Sequence, residues 1–210
     1  MKKIVLSGEG KAGKSLLTYA LGKYCNKNAL ASQSVNLDPT VRHLKHLPFF
    51  DIRKSFPTSN YPGLTSEDAK AKILSEVNYH ALDKELNRAK CDLLFIDSAF
   101  SYEDLLLKKL ELSQYVDCIL LLSTADKVKG ERDELCLKAL GAVATFKQEV
   151  PCITVVNKSD LAGRKRPRIS FSYSSNALQE FEAEPLVYAS ALEKTGFKEI
   201  LAAIEGLEKA

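Results

Sequence analysis

The sequence carries little surplus charge: 30 lysines and arginines stand against 27 acids, a formal net of +3. That balance is too small to make a polyanionic nucleic acid the main partner. No stretch approaches the roughly 20 apolar residues of a membrane span, so no membrane association is expected. The five cysteines, Cys25, Cys91, Cys118, Cys136 and Cys152, are odd in number and nowhere spaced C-x-x-C. Neither a disulfide framework nor a zinc site is supported, and thiols in apolar runs act as small hydrophobes. No Pro/Gly/Ser-rich linker divides the chain, and 45% hydrophobic content over 210 residues suffices for a substantial core, so residues 1–210 are expected to form one domain. The opening residues leave no room for a signal sequence before the first strand, and the expectation is a cytoplasmic protein.

What the sequence does have begins at once. The strand-like Lys2-Lys3-Ile4-Val5-Leu6-Ser7 runs into Gly8-Glu9-Gly10-Lys11-Ala12-Gly13-Lys14-Ser15, a complete G-x-x-x-x-G-K-[ST] phosphate loop, and Leu16 begins the helical pattern after it. Glycines allow such a loop to curl until successive N–H groups face one centre at the start of a helix, where the dipole also favours an anion. Gly10, Lys11, Ala12, Gly13, Lys14, Ser15 and Leu16 are therefore expected to hold phosphates, with the Lys14 ammonium on the β- and γ-phosphates and the Ser15 hydroxyl on Mg²⁺.

Short apolar runs recur at 2–7, 30–37, 91–97, 116–123, 151–157 and 186–189, separated by helical patterns at 14–27, 65–90, 101–114, 127–149, 174–183 and 194–208. Continuous apolar runs suit parallel strands covered on both faces, and the alternation predicts an α/β three-layer, doubly wound, mostly parallel sheet of the phosphate-loop NTPase type. In such sheets ligands sit at the carboxyl ends of the strands, and polar residues fall at those ends: Asp38 after the second run, Asp97 closing the third, and Asn157-Lys158-Ser159-Asp160 after the fifth. Asp97 is placed to hold Mg²⁺ opposite the phosphate loop. Asp38 is placed as a second carboxylate near the metal or as the group that orients the attacking water; Asp38-Pro39 also has the composition of a plain turn.

Asn157-Lys158-Ser159-Asp160 matches N-K-x-D, the guanine-reading element of GTPases. The Asp160 carboxylate can accept two hydrogen bonds from the N1–H and N2–H₂ of guanine, a donor pair adenine does not offer. Lys158 is expected along the base and Asn157 as a tie to the phosphate loop. Ser190-Ala191-Leu192, at the end of the last run, resembles the element whose backbone N–H contacts the guanine O6.

Together with Val35-Asn36-Leu37-Asp38-Pro39 and Asp51-Ile52-Arg53, these motifs make the chain resemble the GPN-loop GTPases. These are a branch of the SIMIBI class of phosphate-loop NTPases found in archaea and eukaryotes. The resemblance runs nearly end to end. It implies GTP and GDP as ligands, Mg²⁺, slow hydrolysis, a homodimer and a protein partner, the eukaryotic members being linked to RNA polymerase assembly. Two departures stand out. The Gly-Pro-Asn triplet is replaced within Ser59-Asn60-Tyr61-Pro62-Gly63-Leu64, and the expected D-T-P-G reads Asp97-Ser98-Ala99-Phe100. The missing glycine is the one whose N–H senses the γ-phosphate, and a bulky Phe100 in its place is expected to hold the loop off.

Three function classes follow: a Mg²⁺-dependent GTPase acting as an assembly or regulatory factor, a nucleotide-binding module without turnover, and a SIMIBI ATPase of the partition or arsenical-pump type. The last class places a lysine early in the loop, where this chain has Glu9. Catalysis is assigned to Lys14 and Asp38, and metal binding to Ser15, Asp97 and Asp38. Three weaker features are solvated or packed segments on their bland reading. The basic run Arg164-Lys165-Arg166-Pro167-Arg168 lacks an aromatic platform, His43 and His46 lack a third metal ligand, and the stretch from Leu44 to Leu64 is an aromatic-rich flap or partner surface.

Overall fold

The computed structural model describes residues 1–41, 43–45, 47–161 and 185–207. Seven strands occur among them: β1 (Lys2–Gly8), β2 (Ser32–Leu37), β3 (Phe50–Asp51), β4 (Leu93–Ser98), β5 (Cys118–Thr124), β6 (Cys152–Asn157) and β7 (Leu186–Tyr188). They form one parallel sheet in the order β3-β2-β4-β1-β5-β6-β7. The helices are α1 (Lys14–Lys27), α2 (Ile52–Ser55), α3 (Ser66–Glu76), α4 (Tyr79–Leu86), α5 (Tyr102–Leu107), α6 (Glu131–Gln148) and α7 (Phe197–Gly206). The expected helix at 174–183 and the basic run at 164–168 lie outside the described residues, as does His46.

Strand alternation sorts the core into two layers. Ile4, Leu6, Phe95, Leu120, Leu122, Ile153 and Val155 face α1 and α7, meeting Leu17, Leu21, Phe197 and Ile200. Val5, Leu94, Ile96, Ile119 and Leu121 face the other way, against Ile73, Leu82, Leu86, Leu105 and Ala144. Each fully buried side chain of this size contributes roughly 1.5–3 kcal/mol relative to exposure. Two covered faces explain why the strands read as unbroken apolar runs.

Three expected helices are shorter or divided. The pattern over 65–90 is two helices, because Val77 is extended and the Asn78 side chain accepts the Ala81 N–H at 2.9 Å, starting α4 afresh. The pattern over 101–114 stops at an extended Lys108 and resumes as a 3₁₀ turn, Glu111–Tyr115. The last begins at Glu131 rather than 127, since residues 125–127 make a turn. Between Leu44 and Leu64 the chain is not all loop: it adds the edge strand β3 and the short α2.

One buried amide holds the α5–β5 connection. Gln148, 1% exposed at the end of α6, accepts from the Leu110 N–H at 2.9 Å and the Ser113 hydroxyl at 2.6 Å, and donates to the Leu105 and Lys108 carbonyls at 2.6 and 2.8 Å. Replacing it would strand buried donors and acceptors. Gln148→Ala is expected to lower stability by about 1–3 kcal/mol in urea unfolding, whereas Lys198→Ala, at an exposed position on α7, should change it by less than about 0.5 kcal/mol.

Candidate nucleotide-binding site

The ends of β1, β2, β4 and β6 converge on one face. Register places Leu6 and Asn36 on either side of Asp97, Gly8 beside Leu122, and Thr124 beside Asn157. As β1 ends, the Gly8 N–H donates to the Phe100 carbonyl at 3.1 Å and the Glu9 N–H to the Leu122 carbonyl at 3.2 Å. Gly8 has φ +125°, and a Cβ there would meet the Leu122 oxygen at 2.2 Å, so only glycine fits. Gly13, at φ +86°, begins α1, and a Cβ on it would lie 2.7 Å from the Asn157 amide nitrogen. No side chain caps α1 and no acid lies in its first turn, which leaves the N–H groups of Lys14, Ser15 and Leu16 for an anion.

Lys14 donates to the Gly8 and Glu9 carbonyls at 3.1 and 2.9 Å, folded back on the loop it terminates. Burial lowers its pKa from the ordinary lysine value; nearby Lys70 lowers it further, while Asp97, Asp38 and Glu9 oppose that. Asp97 is 2% exposed, and neither of its oxygens has a hydrogen-bond partner among the described residues. Burial pushes its pKa up to about 6, and Asp38 adds to the rise; Ser15 and Lys14 pull it down. The Ser15 hydroxyl is thus close enough to act on Asp97, though outside hydrogen-bond geometry. A buried, unpartnered carboxylate beside a hydroxyl is a hard-oxygen donor pair that fits Mg²⁺.

Asp38 is held by its own turn. Its Oδ1 accepts from the Thr40 N–H at 2.8 Å and the Thr40 hydroxyl at 2.7 Å, and its N–H donates to the Asn36 side chain at 3.1 Å. Asn36 also donates to Asp51 at 2.8 Å, and Asp51 receives the Arg53 guanidinium through both oxygens. Burial alone would raise the Asp51 pKa, but the hydrogen bonds from Arg53 and Asn36 outweigh it and hold the carboxyl at about 2. Arg53 reaches on to the Val41 carbonyl at 2.9 Å. The Asp51-Ile52-Arg53 element therefore fixes the chain that follows Asp38, rather than presenting a free cation.

On the other flank Asn157, 1% exposed, donates to the Ala12 carbonyl at 2.8 Å and joins β6 to the phosphate loop. Lys158 has φ +59° and brings its side chain over Gly13. The Ser190 hydroxyl donates to the Asp160 carboxylate at 2.5 Å and accepts the Glu193 N–H at 3.0 Å. The Ser159 N–H reaches the Ala189 carbonyl at 3.0 Å. Asn157-Lys158-Ser159-Asp160 and Ser190-Ala191-Leu192 thus form one unit, with Ala191 buried and Leu192 exposed.

Two residues behave differently from their sequence reading. The Phe100 ring is 4% exposed and packs into the core beneath the sheet, so it does not hold the loop off. Its carbonyl instead takes the Gly8 N–H and the Ser7 hydroxyl, the latter at 2.8 Å. Glu9 does not face the loop centre: it accepts from Ser123 at 3.1 Å and pairs with Lys127 at 2.5 Å. Strand alternation after Asp97 could have placed the ring inward; nothing local could have paired Glu9 with a residue 118 positions away.

The raised Asp97 pKa carries a sign. A carboxyl that titrates at about 6 folded and near 3.9 unfolded binds more protons when folded between those values, so its charge destabilises the nucleotide-free protein as pH rises through that window. Asp97→Asn is expected to stabilise that form by roughly 1–3 kcal/mol at pH 7.5 in urea unfolding. The gain should shrink as pH falls from about 6 to about 4.

Among solved structures, the chain is similar to an apo-form GTPase of Pyrococcus abyssi, with a TM-score of 0.78 and 19% identity over 99% of this chain and 97% of that one. It is similar to a plasmid partition protein of Borrelia burgdorferi, with a TM-score of 0.52 and 16% identity over 99% and 98%. A LAO/AO transport system kinase gives 0.50 and 16% over 100% and 59%. At these identities the likeness is one of fold. Comparison with curated proteins returns no match. A family model described as a conserved hypothetical ATP binding protein matches residues 6–209, and the chain, a divergent GPN-loop GTPase-like protein of the SIMIBI class, belongs to that family.

Proposed function

We propose that this protein binds GTP with Mg²⁺ and hydrolyses it slowly, acting as a regulatory or assembly factor. The observation that carries the reading is the joint between the two loops: Asn157 on the Ala12 carbonyl, with Asp160 oriented by Ser190. The same hydrogen bond ties the phosphate loop to the segment proposed to read the base. A carboxylate there suits the paired donors of guanine, and adenine would leave it without them at a cost of about 1–3 kcal/mol. The family description speaks of ATP; the Asp160 carboxylate favours the guanine base. The partition-type reading is disfavoured because the Glu9 side chain, at that class's lysine position, is tied to Ser123 and Lys127.

In this reading Gly10, Lys11, Ala12, Gly13 and Leu16 line the phosphates, and Lys14 leaves the loop carbonyls to neutralise them. Ser15 and Asp97 would hold Mg²⁺, which would supply neutralisation of the phosphate charge. Asp38, near enough to act on the charges of Lys14 and Asp97 and with one oxygen held by Thr40, orients the attacking water. A homodimer, as the resemblance implies, is the proposed state and the cytoplasm the proposed setting; no helix among the described residues is long and apolar enough to cross a membrane.

Titration calorimetry with Mg²⁺ is expected to show GTP binding about ten- to a hundredfold tighter than ATP, and Asp160→Asn should move the preference toward xanthine nucleotides. Equal affinities for GTP and ATP would overturn the guanine reading. Asp38→Asn should slow single-turnover hydrolysis by about a hundredfold with GTP affinity kept within about twofold. Undiminished hydrolysis in that variant would place the water-orienting group elsewhere.

A further inference from the structure

We propose that the outward face of α6 is where two copies of this chain pair, their α6 helices lying antiparallel across a two-fold axis at Ala139. The surface gives the homodimer proposed above its interface; it rests on that dimer and not on which nucleotide is bound. α6 departs from the usual pattern of a helix with one wet side. Its inward side carries Glu134, Lys138 and Gln148, all buried. Outward, Arg132, Cys136, Ala139, Val143 and Phe146 follow at alternating steps of four and three residues, with Leu135 and Ala142 beside them. That is the spacing of a seam that packs on another helix. Phe146 is 86% exposed and Val143 48%. Exposed apolar side chains scattered singly are ordinary, but a stripe sustained along the helix is a second apolar face, and a helix apolar on both sides is one covered on both.

The charges along this face choose the partner and its direction. A parallel second helix would set Arg132 on Arg132 and Glu131 on Glu131, like charge against like. An antiparallel copy with its axis at Ala139 brings together residues equally far from that point. Glu131 then meets Lys147, Lys129 meets Glu149, and the Arg132 guanidinium meets the Phe146 ring, a cation–π pair. Leu135 meets Val143, and Cys136 meets Ala142. Every contact occurs twice, as an isologous two-fold interface requires. Small side chains at the centre, Ala139 and Ala142, let the two backbones approach closely. Glu149, 73% exposed, is paired in its own chain with Lys109, a surface pair that leaves room for a second lysine.

The pairing also sets where the two nucleotide sites lie. α6 joins the carboxyl end of β5 to the start of the parallel strand β6, so it runs back along the sheet. Antiparallel pairing therefore carries the two sites to opposite ends of the dimer, and neither draws a residue from the partner. The Glu9 side chain, committed to Ser123 and Lys127 of its own chain, agrees with that.

The test is sedimentation velocity on the full chain, without nucleotide and with Mg²⁺ and either GTP or ATP. The parent is expected to dimerise at micromolar concentration, with its dissociation constant changed less than about threefold by either nucleotide. Phe146→Glu is expected to weaken dimerisation about tenfold or more, with the circular-dichroism spectrum kept because the ring is exposed in the single chain. Glu131→Lys should weaken it about three- to tenfold, and adding Lys147→Glu should restore most of that loss, a rescue that general destabilisation would not give. In a Cys136→Ala background, Ala139→Cys should oxidise with diamide to a covalent dimer, since facing α-carbons on a two-fold lie within disulfide range. Ala202→Cys, exposed on α7, should not. A monomeric parent would overturn the inference and the homodimer together. A dimer unaffected by Phe146→Glu, or one that forms only with nucleotide, would overturn the α6 surface and leave the homodimer standing.

Discussion

The phosphate loop leaves the sheet with its first two amides already taken, Gly8 by the Phe100 carbonyl and Glu9 by the Leu122 carbonyl. Parallel strands on both sides of β1 make this arrangement: β4 delivers Phe100 just past its end, and β5 brings the Leu122 oxygen so close that no side chain fits on Gly8. Once those amides are pinned, the loop must turn at Gly13, and α1 must start beneath Asn157, whose amide takes the Ala12 carbonyl. The phosphate cradle is therefore positioned by two backbone hydrogen bonds and the Asn157 side chain, and the side chains that would do chemistry are secondary to that frame. This is why a carboxylate as costly as buried Asp97 can be maintained: the surrounding hydrogen bonds fix its place without its help.

Features read correctly from the sequence are those whose cause is local. The strand runs, α1 at Lys14–Lys27 and the glycines of the loop follow from periodicity and backbone freedom within a few residues. That both Asn157-Lys158-Ser159-Asp160 and Ser190 follow strand ends was legible, but the hydrogen bond from Ser190 to Asp160 was not. What escaped depends on direction or distance. The residue after Ala99 reads as an obstacle in one dimension, yet its backbone faces the loop while its ring turns into the core. Glu9 and Lys127 lie at the ends of neighbouring strands but 118 residues apart in sequence. The break at Val77 and Asn78 was hidden because apolar spacing continues through it, and only the cap at Asn78 marks the restart.

Electrostatics at the site show the same division between frame and chemistry. Asp51 and Arg53 satisfy each other and are spent on holding the turn after Asp38. Half-buried Lys14 and buried Asp97, by contrast, each sit where burial disfavours their charge. Structural charges are paired and functional ones are left wanting a partner, the pattern expected where a ligand completes the site.

That contrast also orders the remaining cations. A lysine that serves structure, such as Lys3, is buried against Asp83 on α4 with its pair complete. Lys14 is held instead by the neutral carbonyls of Gly8 and Glu9, which orient its ammonium without cancelling its charge, so that a phosphate completes what the fold leaves open.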